Sequence, residues 1–224
     1  MTAAEPPTAA PAGGVAGADR ARDGLREHKK QRTRQALIDA ALELFAAQGY
    51  EDTTIDEIVA AVEVSQRTFF RYFATKEDVV IGVFAAYDRA MLEELRERPA
   101  DETPFTAMAE ALRVALRSIA DSGPAESARF RRLRQVIETT PALVAAHLAH
   151  HTAIERALAA EIARRQGVDP EADLRPRLLV AVFIGMVRVA FKHCAEHEAW
   201  DATTMAAQID SIVDAARRTV RDWV

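Results

Sequence analysis

The stretch from Thr53 to Lys76, TTIDEIVAAVEVSQRTFFRYFATK, constrains this chain more than any other. Thr53 or Thr54 can cap a helix on which Ile55, Ile58, Val59 and Val62 share one apolar face. After a turn at Glu63 and Val64, Ser65 can cap a second helix. Its Phe69 and Phe73, four apart, pack inward while Gln66, Arg67 and Arg71 point elsewhere. Two short helices joined tightly make a helix-turn-helix, whose second helix enters a DNA major groove. Gln66 and Arg67 carry side chains that pair bidentately with adenine and guanine edges. Thr54, Thr68, Tyr72 and Lys76 offer donors for phosphate oxygens. A helical hairpin with a merely solvated polar face satisfies the same spacing.

From about Lys30 to Val80 the chain resembles the DNA-binding domain of the tetracycline-repressor (TetR) family. The carriers are the apolar run ALIDAALELFAAQGYEDTTIDEIVAAV and then VSQRTFFRYFATKEDVV. The second is similar to the family's V-S-x-x-T-aromatic-aromatic-x-aromatic-F-x-x-K-E pattern. The resemblance implies that Gln66, Arg67, Thr68 and Phe70 lie on the recognition helix, with Gln66, Arg67 and Phe70 reading bases, and that Tyr72 and Lys76 hold phosphates. The family usually has glycine in the turn where this chain has Glu63. A left-handed backbone there costs a non-glycine residue about 1 kcal/mol.

The expected architecture is all-α: a three-helix DNA-binding domain over residues 25–74 and a helical ligand-binding and dimerisation domain over 75–224. Residues 1–24, mostly alanine, glycine and proline with Val15 as their branched aliphatic, are expected to be disordered. The first helix should run from about Arg26 to Gln48, closed by Gly49. Residues 20–34 hold seven basic side chains against two acidic ones, a local +5 in a chain of net charge -5. DNA contact is therefore expected at one end, with Arg32 and Arg34 reaching phosphate or the minor groove. One cysteine, Cys194, and no basic-then-apolar leader fit a reducing cytoplasm. The apolar stretch Leu178 to Phe191 is short for a bilayer and contains Arg188, so it reads as a buried helix and no membrane partner is expected.

Beyond the recognition helix, Thr75 and Asp78 form a capping pair for a fourth helix to about Arg96, the natural lever between DNA-reading unit and body. Helices follow to about Asp121, over Glu126–Glu138, from Thr140 and Pro141 to Gly167, from Leu174 to His197 and from Ala202 to Trp223. Ala181 and Gly185, four apart, admit a neighbouring helix; with Ile209, Ile212 and Val213 they are the expected dimer interface. Arg188, flanked by apolar residues, needs an anion or carbonyls if buried. With Arg129, Arg134, Phe105, His147 and Met186 it makes up the candidate ligand pocket, while Arg129 and Arg134 read equally as solvated charge. His193, Glu196 and His197 match an H-x-x-E-H zinc pattern, and His147 and His151 have metal-pair spacing, but neither has an evident further ligand. No cofactor, metal or catalytic residue is expected.

The stretch RFRRLRQVIETTPALVAAHLAHHTAIERALAAEIARRQG resembles the ligand-binding domain of a TetR subgroup that includes regulators of the mycofactocin system. That resemblance implies an acyl-coenzyme-A-like ligand. The combined expectation is a cytoplasmic homodimeric repressor on a pseudo-palindromic double-stranded operator, released by a small hydrophobic or acyl-coenzyme-A-like molecule. A zinc hydrolase and a helical interaction module without sequence-specific DNA binding are the alternatives.

Overall fold

A computed structural model describes residues 15–221 as nine α-helices, with no strand among the described residues. They are α1 (Val15–Gln48), α2 (Ile55–Ala61), α3 (Gln66–Phe70), α4 (Lys76–Glu97) and α5 (Pro104–Asp121), then α6 (Pro124–Thr139), α7 (Pro141–Gln166), α8 (Arg175–Glu196) and α9 (Ala202–Arg221). The helix starts follow from local chemistry. Thr54 and Thr75 each close a reciprocal capping box, with Glu57 and Asp78, and the Ser65 hydroxyl accepts from the Thr68 amide. Prolines occupy the first turns of α5, α6, α7 and α8, where their missing N–H would have no helical partner. Thr140 stands at the cap position of α7 but makes no side-chain cap hydrogen bond, so Pro141 and chain direction set that start. The first helix begins at Val15, within the segment expected to be disordered; no proline interrupts the chain from there to Gln48.

Two apolar cores organise the packing. The first joins Leu37, Ile38, Leu42 and Phe45 of α1 to Ile58, Phe69 and Phe73, and continues into Val79, Val80, Val83 and Phe84 of α4. Leu133, Val136, Ile137 and Leu143, from α6 and α7, complete it. The DNA-reading unit is thus not sealed at residue 74. The second core collects Leu95, Met108, Leu112, Leu158, Ile162, Phe183, Met205 and Ile209 from α4, α5, α7, α8 and α9. Helix α4 serves both, because its 22 residues run past the first core into the second.

The turn between α2 and α3 is left-handed at Glu63, φ 57°. Replacing Glu63 with glycine relieves that strain. Glu63→Gly should raise the free energy of unfolding in denaturant by about 0.5–1 kcal/mol. A drop in stability would mean that the glutamate makes a compensating interaction.

Candidate nucleic-acid interface and ligand cavity

Helix α3 is five residues long and cannot hold its orientation alone. Its anchor is Phe69, fully buried, 5.5 Å ring to ring from Phe73. With that edge fixed, Gln66, Arg67, Phe70 and Arg71 all face solvent. Phe70 is 51% exposed, a large apolar ring on an otherwise polar face. Such a ring suits a thymine methyl or sugar better than water. Gln66 donates from Nε2 to Asp56 of α2, which holds the amide at the start of the reading helix.

The residues expected at phosphates divide. Thr54 is exposed, its Oγ1 2.9 Å from Glu57 Oε2 within the cap, and the Thr68 hydroxyl lies 3.1 Å from that of Ser65. Arg32 is exposed, whereas Arg34 folds back with its guanidinium 5.3 Å from the centre of the Phe73 ring. Lys76 departs most from expectation. Its Nζ donates to the carbonyls of Tyr50 (2.5 Å), Glu51 (3.1 Å) and Thr53 (3.1 Å), and stands 4.3 Å from the Tyr50 ring centre. Those carbonyls lie beyond the end of α1 and have no helical partner, so the ammonium closes a turn instead of facing DNA. A cationic groove of about 290 Å³ lies elsewhere, lined by Arg26, Lys29, Lys30, Thr33, Arg71 and Tyr72. Sequence reasoning named the basic segment, and Tyr72 as a phosphate contact, but did not bring them together with Arg71 in one groove. The i, i+3, i+4 spacing of Arg26, Lys29 and Lys30 on one helix was the available signal.

Helix α6 carries two buried arginines that point different ways. Five residues turn a helix through about 140° from the starting face, so Arg129 and Arg134 cannot share one site. Arg129 grips α1: Nε lies 2.7 Å and Nη2 3.1 Å from the two carboxylate oxygens of Asp39, and Nη1 pairs with Glu126. Tyr87 of α4 donates to the same Glu126 at 2.8 Å. Helices α1, α4 and α6 are thereby clasped together, and the Arg129 guanidinium is committed to that clasp.

Arg134 faces the body, where two chambers share Arg134, His147, His151 and Phe191 as a wall. The inner chamber, about 90 Å³, is closed by Met91, Leu112, Leu116 and Phe130. The outer, about 260 Å³, reaches Val144, Arg188 and Lys192. The Arg134 side chain is 4% exposed; Nη2 donates to Glu138 at 2.7 Å, and the guanidinium carbon lies 4.5 Å from the Phe191 ring centre. Burial lowers its pKa and Glu138 opposes that shift; a guanidinium is nonetheless charged in proteins. His147 stacks on Phe84 with centroids 4.2 Å apart, and its Nε2 is 2.9 Å from His151 Nε2. Burial first, then the nearby His151 and Arg134, hold His147 down to a pKa of about 3, so the ring is neutral. Arg134 Nε and His147 Nδ1 are both buried without a hydrogen-bond partner. A buried unsatisfied polar group costs about 1–3 kcal/mol, more when charged.

Of the other expected pocket residues, Arg188 is exposed on the outer rim, because α8 buries only one side in its own chain. Phe105 meets Phe183 edge-on at 5.7 Å in the second core, and Met186 packs against that core. Neither lines either chamber.

Helix α8 is long and apolar enough by composition to cross a bilayer. It divides those residues between two faces: Val180, Phe183, Ala190 and Cys194 are buried in the chain's own core, while Leu178 (64% exposed), Val182 (46%) and Val189 (54%) look outward. Ala181 and Gly185 lie on the outward side, and a Cβ added at Gly185 meets nothing within 4 Å. Ile209 and Val213 are buried inside the chain's own core and Ile212 packs half-buried against it, so from this group the unpartnered surface is that of α8. At the carboxyl end of α8, His197 Nδ1 lies 2.8 Å from the His193 carbonyl, and Cys194 is buried. Among the described residues no group of three or more His, Cys, Asp or Glu side chains is arranged to hold a metal.

Comparison with known proteins matches residues 37–83 to the model of bacterial regulatory proteins of the tetR family, and residues 106–218 to that of the MftR C-terminal domain. The HTH-type transcriptional regulator TcmR of Streptomyces glaucescens is 41% identical over 203 residues, covering 89% of this chain and 90% of its own. MftR of Mycobacterium tuberculosis, a regulator assigned to mycofactocin biosynthesis, is 28% identical over 84% of this chain and 92% of its own. Among solved structures, NalD, the secondary repressor of the MexAB-OprM multidrug efflux pump of Pseudomonas aeruginosa, superposes with a TM-score of 0.57 at 18% identity, covering 82% of this chain and 96% of that one, a likeness of fold.

Proposed function

The chain belongs to the TetR family of DNA-binding transcriptional regulators, and from that premise we propose that it is a cytoplasmic homodimeric repressor, bound to a pseudo-palindromic operator until an amphiphilic ligand occupies its body. The observation that carries the DNA half is the exposed Gln66, Arg67 and Phe70 face held by a buried Phe69. Gln66, Arg67 and Phe70 read base edges. Arg32, Thr54, Thr68, Tyr72 and the groove of Arg26, Lys29, Lys30 and Arg71 hold phosphates. The outward stripe of α8 joins two copies, which sets the recognition helices roughly 34–36 Å apart, one turn of DNA.

The ligand half rests on the two-chambered cavity and on the likeness of residues 106–218 to the MftR C-terminal domain. An acyl-type molecule, with an apolar chain and a polar head, matches a lining of both kinds. Such a ligand releases DNA only by preferring the dimer conformation that fits DNA badly. Driving a 1:99 balance to 99:1 takes about 5.5 kcal/mol of differential binding. Two elements can carry that preference to α3: α4, which lines the inner chamber and continues into the first core, and α6, which holds Arg134 in the cavity and Arg129 on α1.

The test begins with operator fragments selected from the protein's own genomic DNA. Against that operator Arg67→Ala should lose about 1–3 kcal/mol of affinity and relax preference at one base position. Lys29→Ala should weaken all sequences alike and reduce the salt slope by about one unit. If both variants lose the same affinity on operator and on random DNA, α3 is not the reading helix.

A further inference from the structure

Building on the ligand-responsive reading above, we infer that the ligand is a free carboxylate, its ionised oxygens held at the neck of the cavity by Arg134 Nε and His147 Nδ1 and its apolar part lying in the chambers on either side. The inference starts from two buried polar atoms, each without a partner, on side chains that line both chambers. Both side chains lie against Phe84, Arg134 at 5.9 Å and His147 at 4.2 Å from its ring centre, and both belong to the wall that the two chambers share. The Nε–H of an arginine can only donate, so the missing partner is an acceptor. His147 can match it: with His151 donating from Nε2 to His147 Nε2, the proton of the neutral His147 ring sits on Nδ1. Two donors on one wall, one of them charged, suit two carboxylate oxygens, and charge-assisted bonds of this kind are roughly twice as strong as neutral ones.

The negative groups nearby are already engaged. Glu138 accepts from Nη2 of Arg134, and Asp88 lies 2.8 Å from His150 Nε2. The outer chamber is lined by Arg134, Arg188 and Lys192 against Glu138 and Glu155, a net positive lining that favours entry of an anion. The inner chamber has room for roughly three water-sized groups and the outer for roughly nine, so a coenzyme A thioester seated at this neck would have to leave its nucleotide portion outside. A thioester carbonyl also brings no charge to Arg134. The acyl ligand is therefore taken as its free acid, and Arg188 guides it without anchoring it.

The experiment titrates octanoate, octanamide and octanoyl-coenzyme A into the full-length protein by calorimetry. Octanoate should bind at least tenfold tighter than either of the others. Arg134→Lys, which keeps a positive charge but removes the Nε–H, should weaken octanoate at least tenfold, His147→Phe at least threefold and Arg188→Ala less than threefold. Equal affinity for acid and amide, tighter binding of the thioester, a larger loss in Arg188→Ala than in Arg134→Lys, or no octanoate binding at millimolar concentration each overturns the inference. If Arg134→Lys does not fold, the acid-to-amide ratio on the unaltered protein and the His147→Phe result decide. Operator binding without additive, measured in parallel, separates the two readings. A protein that binds operator but ignores octanoate keeps the regulatory reading and loses this one.

Discussion

Val182→Glu should sediment as a folded monomer and bind its operator at least a hundredfold more weakly than the unaltered protein. Val182 lies midway along the outward stripe of α8, 46% exposed in the single chain, so a glutamate there can turn its carboxylate to solvent in the monomer. In a symmetric pair the same position enters the interface from both copies, and a desolvated unpaired charge costs about 3–5 kcal/mol. A hundredfold corresponds to about 2.7 kcal/mol, below that range. Gly185→Leu provides the second arm. A side chain at Gly185 meets nothing in its own chain, so any loss of dimer must come from a neighbouring molecule. Sedimentation velocity at low micromolar concentration checks both; two intact dimers would move the interface off α8.

Phe69→Ala is expected to lower stability by about 3–5 kcal/mol, a large share of the 5–15 kcal/mol typical of a folded protein. The ring is fully buried and is the sole buried residue of α3. Without it the reading helix loses its only deep anchor, and operator binding should disappear before the rest of the molecule melts. Phe70→Ala, one residue along, is the contrast. Its ring is half exposed, so stability should change by no more than about 0.5 kcal/mol while operator affinity falls. Denaturant unfolding followed by circular dichroism, alongside an operator titration, distinguishes the pair. Equal stability losses would mean that Phe70 is also a packing residue.

What could be read in the sequence was whatever depends on near neighbours. The caps at Thr54, Ser65 and Thr75 use hydrogen bonds that span three residues, and the inward turn of Phe69 and Phe73 follows from a four-residue spacing. The left-handed residue at Glu63 was flagged by the missing glycine. What escaped depends on distant partners. Lys76 is recruited by carbonyls 23 to 26 residues earlier, and Arg129 by Asp39, 90 residues earlier. No periodicity encodes either. Arg188 reads from the sequence as a candidate buried charge because its helix is apolar on all sides. That pattern does not say which side belongs to the chain itself, and the structure leaves Arg188 on the open one. The helix from Val15 is hidden in the composition of the amino-terminal stretch as a whole, whose prolines all precede Val15.

The shared first core bears on how regulators of this build can be recombined. Val79, Val80, Val83 and Phe84 of α4, and Leu133, Val136, Ile137 and Leu143 of α6 and α7, complete the packing around Leu37, Ile38 and Phe69. A chimera cut at residue 74, joining this reading head to a foreign sensor, would uncover that apolar surface and discard the Asp39 partner at Arg129. The transferable unit is discontinuous: residues 26–84 together with the inward faces of α6 and of the start of α7. Sensor swapping should therefore succeed between chains that keep Leu133, Ile137 and Arg129, and otherwise give insoluble hybrids, irrespective of how well each half folds at home.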